Sequence, residues 1–426
     1  MTLLVFTLFS VALTLLGFFV PVALFKRLTI LGLSLALLSL LFTWGKPFAF
    51  GPYQVDGVSQ VFTLLALLGA LWTLGLVRSR RFEFYLLVLY AAFGMHLLAS
   101  TKNLILLLVA LEALSLPLYA LATWRRGQGL EAALKYFLLG ALAAAFFLYG
   151  AALHYGATGS FLAGTPGKGP LYALALGLLL VGLGFKVALA PFHFWTPDVY
   201  QGSPTPVVLF MATSVKAAAF AALLRVAAPG APDALAFLIA LSVVVGNLAA
   251  LAQKETKRLL AYSSIAHAGY MALALYTGNA QALGFYLLTY VLATGLAFAV
   301  LSEVSPDRVP LEALRGLFHR DPLLGLALFL AALSLLGLPP LAGFWGKYLV
   351  FAEAARAGKW GLLVLALVTS AISAYYYLAL GLSVFGRGEA GVAPRPLARG
   401  VALLVALALL LLGLLPGSVL PALAAG

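Results

Sequence analysis

The stretch Gly184-Phe-Lys186-Val-Ala-Leu-Ala-Pro191-Phe-His193-Phe194-Trp195-Thr-Pro197 decides how this chain is read. It is apolar enough to continue a membrane-spanning helix, yet it carries a lysine and is interrupted by proline. Proline removes one backbone N–H and frees the carbonyl a turn earlier. In hydrocarbon such groups need partners from protein or water, so a helix broken here implies a polar interior. A second stretch, Ser334-Leu-Leu-Gly-Leu-Pro339-Pro340-Leu-Ala-Gly343-Phe344-Trp345-Gly-Lys347, repeats the plan. Phe194-Trp195 and Phe344-Trp345 are 150 residues apart, and the same offset pairs Tyr136 with Tyr286 and Leu138 with Leu288.

Both stretches lie in a chain of 426 residues that is 64% hydrophobic and 9% charged, with a mean hydropathy of +1.08. A soluble chain would be about a quarter charged. The sequence reads as an all-α polytopic membrane protein with fourteen spans: 2–24, 28–45, 58–77, 82–100, 103–124, 131–154, 171–195, 204–224, 234–252, 257–276, 281–302, 322–338 continuing through 341–355, 360–385 and 399–420. No cleavable signal peptide is evident, because the first apolar stretch lacks a basic n-region and is long enough to span. Cysteine is absent, which excludes disulfides, thiolate metal sites, iron–sulfur ligation and thiol nucleophiles.

The net charge of +13 follows topology rather than a nucleic-acid partner. Of 26 Lys and Arg, 16 fall in the odd-numbered connections, including Lys26–Arg27, Arg78/Arg80/Arg81 and Arg125–Arg126. Six fall in the even-numbered ones, and the other four (Lys135, Lys186, Lys216, Lys347) lie inside spans. By the positive-inside rule, both termini are expected on the outer, periplasmic face of a bacterial cell membrane.

Spans four to eight and nine to thirteen each contain one broken helix. Five is odd, so the second block must enter from the opposite face, giving two inverted five-helix repeats of the transporter type. The expected division is 1–100 for the first four helices, 101–230 for the first half-channel repeat (shared with span four), 231–385 for the second, and 386–426 for the last helix. The polar connection from Glu303 to Asp321 suits a loop with a short surface helix.

Glu112, Lys186, Lys216 and Lys347 each lie about seven or more residues inside an apolar run, roughly 10 Å or more from either end. A lone charge at the bilayer centre costs ~2.5–3.5 kcal/mol on insertion scales. Such residues are retained facing protein or water, where protons or ions use them. Lysine can load and release a proton, which arginine cannot. Glu112 is expected to pair with Lys186: at ~4 Å and an effective dielectric of ~20 the interaction is ~4 kcal/mol, enough for a switch. Freed carbonyls and water at Pro191 are expected to solvate Lys186. The competing reading, an ion pair that fixes helix register with the other lysines snorkelling, fits mid-span positions poorly. Lys135, His193 and His267 are further relay candidates. His96, His154 and His319 read as bland, the Tyr375-Tyr-Tyr377 run as aromatic packing, and Asp198 as a cap. No spacing resembles a metal site, and Gly182-Leu-Gly184 is too short for a dinucleotide fingerprint.

These residues, in this order, resemble the antiporter-like membrane subunits of proton-pumping NADH:quinone oxidoreductase (respiratory complex I). The resemblance spans about Asn103 to Tyr377, and the run from Phe185 to Pro206 is its most specific part. Within that family the length, and Lys347 in Gly343-Phe-Trp-Gly346-Lys347 where subunit M would show glutamate, are most similar to subunit N. The resemblance implies that Glu112 and Lys186 match the family's glutamate–lysine pair, Lys216 its central lysine and Lys347 its exit-side lysine, with His193 and His267 at polar positions. It implies redox-coupled proton pumping with no cofactor in this chain, and partners among the other membrane subunits, such as M and K, within the lipid bilayer. The alternatives are a subunit of a multisubunit sodium/proton antiporter, a membrane-bound hydrogenase subunit, or a scaffold that transports nothing.

Overall fold

The structure is a computed structural model that describes residues 1–77, 79–124, 128–227, 233–305, 308–388, 390–391, 395–420 and 423. Arg78, Arg125 and Arg126, used above for topology, lie outside the described residues. The elements follow in chain order as α1 (Thr2–Leu16), α2 (Val22–Phe42), β1 (Phe48–Phe50), β2 (Tyr53–Val55), α3 (Gly57–Leu76), α4 (Phe82–Ala99), α5 (Leu104–Ala122), α6 (Gln128–Thr158) and α7 (Pro170–Val187). Next come α8 (Trp195–Gly202), α9 (Thr205–Phe210), α10 (Lys216–Ala227), α11 (Asp233–Leu251), α12 (Thr256–Tyr276) and α13 (Ala280–Val304). The last five are α14 (Leu317–Arg320), α15 (Pro322–Leu336), α16 (Ala342–Arg356), α17 (Trp360–Ser383) and α18 (Pro396–Leu414). Each of the fourteen expected spans overlaps a helix or a pair of half-helices. Among the described residues, eleven helices are long and apolar enough to cross a membrane, while α1 and α15 are apolar but shorter.

The chain divides into two compact units. One comprises Met1–Lys186 with Thr213–Pro229, the other Val187–Ala212 with Gly230–Ala424. In the first, α4 packs on α3 and α5, α5 on α6, and α10 on α3 and α4. In the second, α11 packs on α12 and α17, while α13 packs on α15, α16 and α18.

The first span is shorter than expected, and the second starts six residues earlier than expected, at Val22. Helix α1 stops at Leu16, and Pro21 occupies the N-cap of α2, because a proline N–H is missing where the first turn leaves donors free anyway. Lys26 therefore lies within α2, its ammonium donating to the Val77 carbonyl at 2.7 Å. The Glu303–Asp321 connection contains a 3₁₀ turn at Leu311–Leu314 and the short helix α14. His96 is buried between the Tyr53 hydroxyl (2.9 Å) and the Thr63 hydroxyl (3.1 Å), a satisfied interior histidine.

Both predicted breaks are present. Helix α7 ends at Val187, Ala188 turns left-handed (φ 63°), and the chain becomes helical again at Trp195. Helix α15 ends at Leu336, Gly337 turns left-handed (φ 90°), and α16 starts at Ala342. A left-handed residue closes a helix by folding its N–H back to earlier carbonyls, as Gly337 does to Leu333 and Ser334 at 3.0 Å. Glycine does this without the Cβ penalty, whereas Ala188 bears ~1 kcal/mol or more of strain.

Candidate functional site

In the first unit the site is built by α5, α6 and α7. The proline break leaves Lys186 in the last turn of α7, buried, with its side chain running to other helices. Its ammonium donates to Ser115 Oγ at 2.7 Å and to the Tyr136 hydroxyl at 3.1 Å. It also sits over the Tyr136 and Tyr119 rings, 5.0 and 5.8 Å from their centroids, where the ring quadrupoles favour a cation. Glu112, Ser115 and Tyr119 lie at i, i+3 and i+7 on α5, hence on one face.

Two expectations are corrected here. Glu112 makes no direct ion pair with Lys186: the carboxylate is half-buried, and Ser115 on the same helix takes the contact. The partners of Lys186 are side-chain hydroxyls rather than carbonyls freed by the break, because the ammonium reaches Ser115 on α5 and Tyr136 on α6.

Lys216 is buried as the first residue of α10. Directly before it, Met211–Val215 forms a π-helical turn, an element that marks functional sites more often than chance. The Ser214 hydroxyl donates to the Ala66 carbonyl on α3 at 2.8 Å.

In the second unit α12, α13, α15, α16 and α17 converge. Lys347 is buried on α16, and its ammonium donates to the Leu336 carbonyl at 2.8 Å and to Ser370 Oγ at 2.9 Å. The Leu336 carbonyl is freed by the second break, so the solvation expected for Lys186 is found here. The ammonium also lies 5.4 Å from the Tyr270 ring centroid. His267 on α12 is hydrogen-bonded through Nδ1 to the Tyr286 hydroxyl and through Nε2 to that of Tyr377, both at 2.8 Å. Tyr377 also bonds Ser263. A cavity of about 10 Å³, lined by His267, Tyr286, Thr289, Tyr290, Ser334 and Gly343 among others, is close to the size of one water and polar enough to hold it.

The family described as NADH:quinone oxidoreductase/Mrp antiporter, transmembrane, matches residues 101–373. The chain belongs to this family. It is 83% identical over 428 residues to NADH-quinone oxidoreductase subunit 14 of Thermus thermophilus, covering both chains fully. It is 46% identical over 319 residues to NADH-quinone oxidoreductase subunit N of Salinibacter ruber, covering 70% of this chain and 64% of that one. A chain in the structure of respiratory complex I from Thermus thermophilus with bound aureothin superposes with a TM-score of 0.98 at 82% identity, each covered fully. Like other members of the NADH:quinone oxidoreductase/Mrp antiporter family, this is a multi-pass membrane protein.

Not every candidate joins these groups. Lys135 pairs with Glu131 one turn earlier on α6 at 2.8 Å, with 44% of its side chain exposed, on a different face from Tyr136. His193 is buried in the first break and stacks on Phe194, its Nδ1 without a hydrogen-bond partner among the described residues. Asp198 is not a cap: it lies in the first turn of α8 and binds Arg258 Nη1 at 2.7 Å. Tyr377, read from sequence as packing, is a partner of His267, and Ser115, Tyr119 and Ser370 gave no sequence signal at all. Tyr136 and Tyr286 did give one. They match across the 150-residue offset, and each faces the titratable centre of its own unit.

Proposed function

We propose that this chain is a proton-translocating membrane subunit of an NADH:quinone oxidoreductase, of the subunit N type. Its relay would use Glu112, Lys186, Lys216, His267 and Lys347, with His193 beside the first break and Lys135 left outside. The observation that carries the reading is the chemistry around the buried lysines. The ammoniums of Lys186 and Lys347 are held by hydroxyls and a carbonyl, with no carboxylate in contact. Hydroxyls rotate and serve an amine as donors as readily as they serve an ammonium as acceptors. Either protonation state therefore finds its hydrogen bonds, and no buried carboxylate is stranded when the proton leaves. An ion pair that merely fixed helix register would show the opposite arrangement.

Glu112, three residues before Ser115 on the same face of α5, then acts as an adjustable field: movement of the carboxylate changes how strongly the ammonium is favoured without breaking a direct bond. The hydride and electron chemistry belongs to other subunits, whose conformational or electrostatic signal reaches this chain. No redox cofactor is assigned to it. Neighbouring membrane subunits and lipid are its partners, and the distribution of basic residues supports an orientation with both termini on the outer face. The names of the relatives favour this over the sodium/proton antiporter reading. The test is Lys186→Ala in the assembled complex in sealed vesicles. NADH oxidation coupled to proton transport should fall, and wild-type transport by that complex would refute the relay.

A further inference from the structure

Arg225 closes the helix that begins at Lys216, and the relay gives it no task. Nine residues separate the two, a rise of about 13 Å at ~1.5 Å per residue. The guanidinium is buried and bidentate: Nη1 donates to Asp56 Oδ2 at 3.0 Å and Nη2 to Asp56 Oδ1 at 2.8 Å. Nε and Nη2 also donate to the carbonyl of Ala99, the last residue of α4, at 3.2 and 2.7 Å. Asp56 is itself the N-cap of α3, accepting from the Ser59 N–H at 2.9 Å while the Ser59 hydroxyl accepts from the Asp56 N–H at 2.8 Å. One side chain thus gathers the start of α3, the end of α4 and the end of α10. Burial pushes the Asp56 carboxyl up, but the Arg225 hydrogen bonds and charge, joined by the Ser59 N–H and the Lys102 charge, more than reverse this and hold it below its ordinary value.

The helix between Lys216 and Arg225 needs such an anchor. Its side chains include Ala217, Ala218, Ala219, Ala221 and Ala222, all buried. These methyl groups present little relief to resist sliding or rotation, which leaves that task to buried Phe220 and Leu223 and to the polar anchor at Arg225. At the other end lies the π turn Met211–Val215, which holds one residue more than an α turn. If α10 slipped by one residue the π turn would convert to α-helix, and Lys216 would rotate by about 100° and move about 1.5 Å along the axis. The Ser214–Ala66 hydrogen bond holds the π turn itself.

We propose that Arg225, through its bidentate pair with Asp56, is a positioning residue for Lys216, fixing the register of α10 and so preserving the π turn that aims the lysine. The proposal rests on the relay reading of Lys216, and the experiment separates the two. Arg225→Ala, Arg225→Lys, Asp56→Asn and Asp56→Glu are assembled into the complex in sealed vesicles, and protons moved per NADH oxidised are measured beside Lys216→Met. In parallel, Lys216→Cys introduces the only thiol of this chain. Its alkylation rate with a membrane-permeant maleimide, read from the mass of this subunit, reports the residue's surroundings whether or not protons move. Arg225→Ala should lose at least half of what Lys216→Met loses in the proton ratio and change the alkylation rate severalfold, while Asp56→Glu retains both. If Arg225→Ala does not assemble, Arg225→Lys and Asp56→Asn are judged by the same two readouts. An unchanged ratio and unchanged alkylation in assembled variants overturn the positioning role. Wild-type pumping by Lys216→Met overturns the relay reading instead, and alkylation alone then judges the positioning.

Discussion

Gly343 offers the sharpest test of the second break. A Cβ added there would lie 1.8 Å from the Ser334 carbonyl oxygen and 2.7 Å from its carbonyl carbon. Both are backbone atoms of α15, so no side chain can swing aside. Ordinary carbon–oxygen contact begins near 3.4 Å, so Gly343→Ala must push α16 from α15 by about 1.5 Å, an overpacking typically worth about 1–3 kcal/mol. The bond between Lys347 and the Leu336 carbonyl, 2.8 Å long, would stretch to about 4.3 Å and cease to be a hydrogen bond. A misplacement of about 1 Å costs a reacting pair on the order of 100-fold. Coupled proton transport by Gly343→Ala in vesicles should therefore fall by about tenfold or more, even where the complex assembles. Gly361→Ala is the control, since a Cβ there meets nothing within 4 Å. Wild-type proton transport by an assembled Gly343→Ala complex would refute the claim that the α15–α16 contact sets the position of Lys347.

Four further outcomes follow from the same geometry. Lys186→Arg should fail to restore the pumping lost in Lys186→Ala, because arginine keeps its proton; Glu112→Gln should lose more than Glu112→Asp, and equal near-wild-type rates for both would remove Glu112 from the relay. Tyr377→Phe removes the hydroxyl bonded to His267 Nε2, a net ~0.5–1.5 kcal/mol, and should slow coupled turnover by a few-fold with assembly intact, as measured by NADH-driven proton uptake. Asp56 is held below its ordinary value in the fold, so the stability it lends is complete above the unfolded carboxylate value of about 4. That stability should drain away as pH falls through the lower folded value; thermal unfolding in detergent across this range should show the loss, and Asp56→Asn should flatten it.

The sequence alone determined the class of protein, the location of both breaks and the burial of Lys186, Lys216 and Lys347, though not that of Arg225. These follow from local chemistry: proline cannot donate a helix hydrogen bond wherever it stands, and a lysine deep in an apolar run must be kept from lipid. Helix ends were legible only to within several residues, and α1 shows why, since Pro21 and its turn lie inside an unbroken apolar stretch. The tertiary structure alone decided which groups meet the charges. Ser115 rather than Glu112 touches Lys186, the freed Leu336 carbonyl serves Lys347 rather than Lys186, and Tyr377 leaves its aromatic run to bond His267. The physical reason is that an apolar span buried on nearly every side shows no polar face to read, so its rotation about its own axis is not written in its hydropathy. Rotation is fixed by close backbone approaches and by polar contacts between distant segments, such as Gly343 against Ser334 and Arg225 on Asp56. The π turn before Lys216 belongs to the same category, for nothing in Met211-Ala-Thr-Ser-Val215 marks it until its neighbours hold it in place.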